Sequence, residues 1–287
     1  MRKLYILFIV LIGFQSNAQV VPVTDPAFLQ LLLQDYGQFA YDEIGAPMVI
    51  DTNGNNLIEV SEAQQVYKLN VPHYLYLTYD SETGEFTEGN PIFNVYGIQY
   101  FMNLRELTMT EVPINVGHLL PLTYLERLDL AYSTANTLNL STLVNLRYLD
   151  CTGMGAYDII LPPGLKVLKA GSNSLSEVSY PSSIEELYVD DGGIEFLSIS
   201  NLSNLKILSC SWNPIINLDL SSSPLLTTLT AMQMSQLQSI NLKNGTLPIT
   251  SLTIANCPSL SFICTDDVEN DYVIGVVNSS GFGLARA

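Results

Sequence analysis

Residues 145–151 read NLRYLDC, and this spacing of apolar residues returns along most of the chain. In each copy an apolar residue is followed by two variable positions, a second apolar residue, one variable position and a third apolar residue. The other copies are NLRELTM (103–109), YLERLDL (124–130), GLKVLKA (164–170), SIEELYV (183–189), NLKILSC (204–210), LLTTLTA (225–231) and PITSLTI (248–254). Eight copies at intervals of 19 to 23 residues indicate a chain built from one repeated unit.

The interval between copies indicates what kind of repeat this is. A second pair of alternating apolar residues lies about 13 residues after the start of a copy, at Leu138/Leu140, Ile159/Leu161, Val178/Tyr180, Leu197/Ile199 and Leu218/Leu220. Alternation with a period of two indicates a second extended segment in each turn. A period near 21 residues leaves no room for a full helix, so we expect a mostly β coil whose turns bury their leucines against neighbouring turns.

The copies resemble the leucine-rich-repeat family, whose pattern is LxxLxLxx(N/C)xL. Asn173, Asn213 and Cys257 occupy the Asn/Cys position, whereas other copies carry Ser133, Met154, Gly192 and Met234 there. The resemblance therefore implies an incomplete ladder of side chains along the turns. The expected fold is a mostly β leucine-rich-repeat solenoid with about eight repeats over residues 98–265, a small helical N-terminal cap over 19–97 and a short C-terminal cap over 266–287.

Local signals organise the N-terminal cap. DPAFLQLLLQDY (25–36) predicts a helix with Asp25 as its N-cap and Pro26 in its first turn. SEAQQVYK (61–68) predicts a second short helix. Residues 74–94 are aromatic and acidic and contain the turn-prone SETGE (81–85), so we expect a hairpin or a loop there.

The first residues and the overall charge indicate export. Arg2 and Lys3 precede an apolar run that ends at Phe14, and small residues follow, so residues 1–18 are interpreted as a signal peptide. Its removal leaves 9 basic against 28 acidic residues, a formal charge of −19. Such a charge repels phosphate backbones, which argues against a nucleic-acid partner. We expect an extracellular or cell-surface protein without a transmembrane segment.

The four cysteines do not suggest a zinc site, because no CxxC pair is present. Cys151 and Cys210 occupy apolar positions of the repeat and are interpreted as small buried side chains. Whether Cys257 and Cys264 form a local disulfide stays open.

The stretch DTNGNNLIEVSE (51–62) has the spacing of a twelve-residue calcium loop. Its candidate ligands are Asp51, Asn53, Asn55, the Leu57 carbonyl, Glu59 and Glu62. Asn56 occupies the position where glycine is usual, and asparagine is the next most tolerant residue of positive φ. The alternative is a turn whose side chains cap their own backbone. We expect a structural calcium ion that pins the cap to the first repeats.

The variable positions of the predicted strands carry six of the nine basic residues left after export. The residues chosen as candidates for ligand binding are Arg127, Arg147, Tyr148, Lys166, Lys169 and Tyr188. The alternative is that these charges pair across strands, Asp150 with Lys169 and Glu106 with Arg127, and serve only the sheet. The threonines of the last repeats favour a structural role, since threonine is a good strand former.

Enzyme signatures are scarce. The histidines are His73 and His118, and no GxSxG, HExxH or phosphate-binding loop is present. Adjacent acids such as Glu185 and Glu186 point to opposite sides of a strand and do not form a two-carboxylate site. We therefore do not expect an enzyme, and hydrolysis of a polysaccharide is the least favoured function.

Three segments resemble secreted internalin-like and Bacteroidetes-type leucine-rich-repeat proteins of bacteria: the cap segment DPAF (25–28), the loop at 51–62 and the closing segment FICTDDVENDYV (262–273). The resemblance implies a surface or secreted protein whose repeats bind an extracellular macromolecule, and we expect a protein or glycan partner and a monomer. The alternative is a self-assembling structural protein without a discrete ligand site.

Overall fold

The structure is a computed structural model, and it describes residues 18–34, 39–72, 74–79, 86–175, 178–245, 249–267 and 270–279. Several predictions from the sequence lie outside these residues. They are the signal peptide up to residue 17, His73, the SETGE turn and the last part of the C-terminal cap.

The chain forms seventeen strands and three α-helices within the described residues. The strands are β1 (Ala40–Tyr41), β2 (Lys68–Val71), β3 (Tyr74–Tyr79), β4 (Phe86–Pro91), β5 (Glu106–Met109), β6 (Arg127–Asp129), β7 (Thr137–Asn139), β8 (Tyr148–Asp150), β9 (Asp158–Ile160), β10 (Val167–Lys169), β11 (Glu186–Tyr188), β12 (Ile207–Ser209), β13 (Asn217–Asp219), β14 (Thr228–Met232), β15 (Ser239–Asn241), β16 (Ser251–Ala255) and β17 (Phe262–Cys264). The α-helices are α1 (Pro26–Leu32), α2 (Val60–Ala63) and α3 (Asn270–Ser279), and two 3-10 helices span Ile98–Tyr100 and Val116–His118.

Ten strands form the main sheet, in the order β1-β2-β5-β6-β8-β10-β11-β12-β14-β16. Each of the eight predicted copies contributes one of the strands from β5 to β16, and all eight are parallel and in register. The central leucines therefore form a continuous row that begins at Leu107 and Leu128 and ends at Leu252, with 0 to 7% of each residue exposed. The predicted mostly β leucine-rich-repeat solenoid is confirmed.

The second extended segment of the turns is confirmed in part. β7 pairs with β9, and β13, β15 and β17 form a three-stranded sheet, all parallel. The expected segments at Val178/Tyr180 and Leu197/Ile199 are not strands. Part of the reason is local, because Pro181 has no N–H to donate to a ladder and the Tyr180 carbonyl accepts from Asn201 Nδ2 instead.

Buried asparagines satisfy the turns where the family pattern is kept. Asn213 Nδ2 donates to the carbonyls of Val189, Cys210 and Ser211, and its Oδ1 accepts from Gly192 and Ile194. Asn173 makes a similar set of bonds. Where the pattern is broken, the Ser133 hydroxyl makes one bond, to the Met109 carbonyl, and Met154 and Met234 are buried without a polar role.

The N-terminal cap extends the main sheet as well as covering it. Asp25 caps α1 by accepting from Ala27 and Phe28, as predicted, although the helix ends at Leu32 and not at residue 36. The helix predicted over 61–68 is wrong at its end, because α2 stops at Ala63 and Lys68 begins β2, which pairs in parallel with β5. Leu69 and Val71 alternate inward from β2 and fill the first turn of the core.

The expected hairpin is present, since β3 and β4 are antiparallel. At the other end α3 lies against β16, where Val273 is buried and the Tyr272 hydroxyl accepts from Leu252 N at 3.2 Å. Cys257 and Cys264 are free thiols, which answers the disulfide question in the negative. In the described part of the chain, no helix is both long and apolar enough to cross a bilayer.

Candidate functional site

The solvent-facing side of the main sheet, here called the strand face, carries most of the predicted binding residues. Parallel register places equivalent positions of successive strands in straight rows across this face. One row contains Arg127 and Tyr148, and the next toward the strand ends contains Asp129, Asp150, Lys169 and Tyr188. The sequence therefore predicted correctly which side chains share a face.

Four of the six candidates meet in one place. The Arg127 guanidinium carbon lies 3.4 Å from the centroid of the Tyr148 ring. Lys169 Nζ lies 5.7 Å from the Tyr148 ring and 5.8 Å from the Tyr188 ring. Arg127, Tyr148, Lys169 and Tyr188, here called the aromatic–cation cluster, are all half-buried. Cation–π contacts of this kind hold long side chains in defined positions.

Arg147 and Lys166 do not join the cluster. They lie on the row at the beginning of the strands, where the Arg147 guanidinium donates to the Val144 and Leu146 carbonyls. Lys166 Nζ forms an ion pair with Glu185 at 2.8 Å, and Lys206 binds the same carboxylate at 2.7 Å. These two cations hold the pKa of Glu185 below its ordinary value. We therefore assign Arg147 and Lys166 to the framework of the sheet.

The predicted cross-strand pairs have different outcomes. Asp150 and Lys169 do pair, at 3.8 Å. The predicted pair of Glu106 with Arg127 is wrong, because Glu106 binds Lys68 at 2.9 Å and Arg127 stacks on Tyr148. The cap strand β2, which the sequence did not reveal, supplies Lys68 and so redirects Glu106.

Two carboxylates lie side by side next to the aromatic–cation cluster. Asp129 and Asp150 are directly opposite each other in neighbouring strands. Burial, and then the like charge of Asp150, raise the pKa of Asp129, although a hydrogen bond from the Ala131 N–H opposes the shift. Burial and the Glu186 carboxylate raise the pKa of Tyr188 to about 12. Like charges opposite each other destabilise a sheet, which points to a role other than stability.

The residue one to three places after the end of each repeat strand forms a rim along the edge of the strand face. Every rim residue has a left-handed backbone, with φ between 53° and 67°: Glu111, Tyr132, Gly153, Ser172, Asp191, Trp212, Gln233 and Asn256. Tyr132 and Trp212 are 61% and 59% exposed. Bulky side chains are uncommon in this conformation. Sequence reasoning did not choose Tyr132 as a candidate, although Gly153 and Asn256 at the equivalent positions of other copies indicate a special backbone there.

A polar notch lies on the strand face between these two aromatic rim residues. The notch has a volume of about 320 Å³. It is lined by Thr152, Lys169, Gly171, Ser172, Tyr188 and Asp190. The larger hollow of about 780 Å³ lies elsewhere, beside Tyr180 and Phe196. The notch therefore adjoins the aromatic–cation cluster and shares Lys169 and Tyr188 with it.

The loop at 51–62 is shaped by hydrogen bonds between its own side chains and backbone. Asn56 adopts φ 61°, as the sequence predicted for the position where glycine is usual. Asp51 accepts from the N–H groups of Gly54, Asn55 and Asn56, so its carboxylate shapes the loop. The Asn53 and Asn55 amides both donate to Glu59.

The acids of the loop are held by neutral groups. Glu62 accepts from Thr52 N and Oγ1 through one carboxylate oxygen and from Glu59 N through the other. The Glu59 and Glu62 residues are each only 6% exposed, and no ion pair among the described residues includes them. Across the described ranges, no three His, Cys, Asp or Glu side chains are grouped as a metal site. The carboxylates of Glu59 and Glu62 thus already have amide, hydroxyl and backbone N–H donors, and a calcium ion would have to replace some of these contacts.

The described cysteines of the core offer no reactive thiol. Cys151 and Cys210 are fully buried, as predicted, and burial raises the pKa of both thiols above the ordinary value. His118 packs edge-on against Tyr96 with ring centroids 5.2 Å apart. Neither feature lies on the strand face.

No protein-family model matches the sequence, and no curated protein sequence matches it. Solved structures do resemble the fold. An internalin (inlF) from Listeria monocytogenes superposes with a TM-score of 0.52 and 21% identity, over 74% of this chain and 64% of that one. Internalin C2 of the same organism gives a TM-score of 0.47 and 19% identity, over 88% and 92% of the two chains. A leucine-rich-repeat protein of Leptospira interrogans gives 0.46 and 19%, over 62% and 59%.

This chain thus spans less than two thirds of the length of the first of these structures. Sequence identities near 20% show similarity of fold alone. Together with the in-register ladder of eight repeat strands, the superposition shows that the chain has the leucine-rich-repeat solenoid fold found in internalins.

Proposed function

We propose that this protein is an exported binding protein that recognises an extracellular macromolecule through its strand face. The observation that carries the proposal is the aromatic–cation cluster of Arg127, Tyr148, Lys169 and Tyr188 on a face that no described element covers.

The composition of the aromatic–cation cluster suits recognition. Tyrosine and arginine dominate the energetics of protein interfaces, since they combine a large apolar surface with polar tips. The contact of Arg127 with Tyr148 holds both side chains in place before binding. Less side-chain entropy is then lost when a partner docks. The acidic pair of Asp129 and Asp150 adds charge that a partner can complement.

The test replaces the two rings of the aromatic–cation cluster. Tyr148→Ala/Tyr188→Ala should reduce capture of the macromolecular partner from host or bacterial surface extracts at least tenfold, because two contact rings are lost. Tyr124→Ala/Tyr157→Ala is the matched control, since both rings are more than half exposed and lie outside the cluster. Equal capture by the two double variants would reject the strand face as the binding surface.

We also propose that calcium stabilises the cap through the loop at 51–62. The support is the positive φ of Asn56, the loop-shaping Asp51 and two buried acids that neutral groups hold. Bound calcium would draw on Asp51, Asn53, Asn55, the Leu57 carbonyl, Glu59 and Glu62. Its positive charge would neutralise the acids and connect the start of the loop, at Asp51, with Glu62 in α2.

Calcium at millimolar concentration should raise the melting temperature relative to a chelator, because a ligand that binds only the folded state stabilises it. Glu62→Gln keeps one oxygen to accept from Thr52 but loses the second acceptor, which binds the Glu59 N–H, and the negative charge. This variant should therefore lose most of the calcium response. If calcium and chelator give the same melting temperature for the unsubstituted protein, the loop is only a turn.

The alternative of a self-assembling protein has less support. The two-residue antiparallel β1 and the helix α3 lie at opposite ends of the main sheet, and both limit end-to-end pairing. We therefore propose a monomer. Light scattering of the protein without its signal peptide checks this, since growth in mass with concentration would favour assembly.

A further inference from the structure

We propose that the polar notch on the strand face, together with Tyr132 and Trp212 at its two ends, binds an uncharged oligosaccharide. The inference rests on the proposed strand-face function and names the class of ligand for it. It is carried by the exposed aromatic residues, the shape of the notch, and its balance of polar groups.

The two aromatic residues are exposed at a cost to the fold. Tyr132 and Trp212 have φ near 60°, a conformation that costs an L-residue about 1–2 kcal/mol relative to the ordinary helical one. The same backbone occurs along the whole rim, so these two positions are distinguished by their large exposed aromatic side chains. Their rings present apolar faces with negative charge density, on which the C–H face of a sugar ring can stack.

Small residues form the notch between the rings. A Cβ on Gly153 would lie 2.6 Å from the Tyr132 ring, so that ring lies directly on the Gly153 backbone. A Cβ on Gly171 would lie 2.8 Å from the Asp190 carbonyl oxygen, so glycine is required there as well. The three rim residues between the two rings are Gly153, Ser172 and Asp191, all smaller than the aromatic residues on either side.

The notch offers both hydrogen-bond donors and acceptors, and its lysine is already paired. Lys169 is paired with Asp150 at 3.8 Å, and the Asp190 carboxylate accepts from Ser209 Oγ and Ser211 N at 2.8 and 2.7 Å. Thr152 and Ser172 add hydroxyl groups. A site with both donors and acceptors but no unpaired cation suits hydroxyl-rich neutral ligands better than phosphate or sulfate groups.

The dimensions suit a linear chain of sugars. Tyr132 follows β6 and Trp212 follows β12, which are four strand spacings apart in the main sheet. At about 4.8 Å for each spacing the two rings are roughly 19 Å apart along the sheet. A single sugar would contact one ring only, whereas an oligosaccharide would contact both rings and the notch.

Trp212 is the only tryptophan of the chain, so its fluorescence reports directly on this site. The protein is titrated with cellotetraose, mannotetraose and N-acetylchitotetraose at millimolar concentrations, and with tetralysine as a basic peptide. We expect a saturable shift of the emission with at least one of the sugars. Tyr132→Asn, which tolerates the left-handed backbone, should weaken that binding at least tenfold, whereas Asn256→Gly at the same rim position of the last repeat should leave it unchanged.

A response to tetralysine alone, or no response to any of the sugars, would overturn the inference. So would sugar binding that is equally strong in Tyr132→Asn. Because the titration uses isolated sugars, these results are separate from the capture experiment. If Tyr148→Ala/Tyr188→Ala still loses a macromolecular partner while no sugar binds, the proposed function stands and the oligosaccharide does not.

Discussion

Single residues on the strand face and its rim depart from what stability alone would select. Tyr132 and Trp212 occupy left-handed backbone positions where Gly153 and Asn256 occur in other copies. Asp129 and Asp150 place like charges opposite each other. These residues lie around the aromatic–cation cluster and the notch, whereas the leucine rows follow the expected pattern throughout.

Asp129→Asn should stabilise the protein at neutral pH by about 0.5 kcal/mol, because it removes a like charge from a cross-strand pair. The pKa of Asp129 is raised in the folded state, so the folded state retains the proton more readily than the unfolded one. Stability is therefore lost as pH rises from the ordinary pKa of aspartate through the raised value. The gain from the substitution should disappear in acid, and chemical denaturation at several pH values measures it.

Asp219→Asn is the matched control for this prediction. The Ser221 N–H hydrogen bond lowers the pKa of Asp219, so its carboxylate contributes stability above the ordinary pKa of aspartate. Its substitution should therefore destabilise the protein at neutral pH and have no effect in acid. A destabilising effect of Asp129→Asn at neutral pH would contradict the assignment of repulsion to Asp129 and Asp150.

The elements of the repeat were predictable because each strand carries its own apolar signal. Leu107 and Met109 of β5, for example, alternate inward just as the printed sequence suggests. The cap was harder to predict. Lys68–Val71 has only two apolar residues and follows a helical stretch, so its parallel pairing with β5 depends on a neighbour distant in sequence. The missing strands at 178–180 and 197–199 likewise depend on the pairing of whole turns.

Asn213→Ala tests the ladder of turn side chains at this scale. The substitution leaves five backbone groups without their side-chain partner in a buried turn, so we expect a loss of about 3 kcal/mol in the free energy of unfolding. Asn204→Ala removes one exposed bond to the Ser182 carbonyl and should cost about 0.5–1 kcal/mol. Equal losses in the two variants would contradict a structural ladder.

The candidate site was predictable only at the level of the face. Period two placed Arg127, Tyr148, Lys169 and Tyr188 on one side of the sheet, as the structure confirms. The sequence could not show that Arg147 donates to backbone carbonyls. That contact depends on the neighbouring turn, where Gly164 leaves room for the Arg147 guanidinium. Whether calcium occupies the loop at 51–62 stays a prediction.

At the scale of the whole molecule, the turns act as one stack because no turn buries its leucines alone. Each interior row is shared with the turns before and after it, and the cap strand β2 and the helix α3 adjoin the first and last repeat strands. The strand face exists only as a consequence of this stacking. Its rows of side chains, and therefore both proposals about binding, depend on the register of the strands.

The most direct test of that register is a distance measured along the stack. Spin labels at Glu106→Cys and Ser251→Cys, in a Cys264→Ser background, lie on one row seven strand spacings apart, which predicts roughly 34 Å between the labelled backbones. Glu106→Cys with Glu186→Cys spans four spacings and predicts roughly 19 Å. Pulsed electron–electron double resonance should give one narrow distance distribution for each pair, and the mean distance should increase with the number of strand spacings. Broad distributions, or equal distances for the two pairs, would contradict a single parallel ladder.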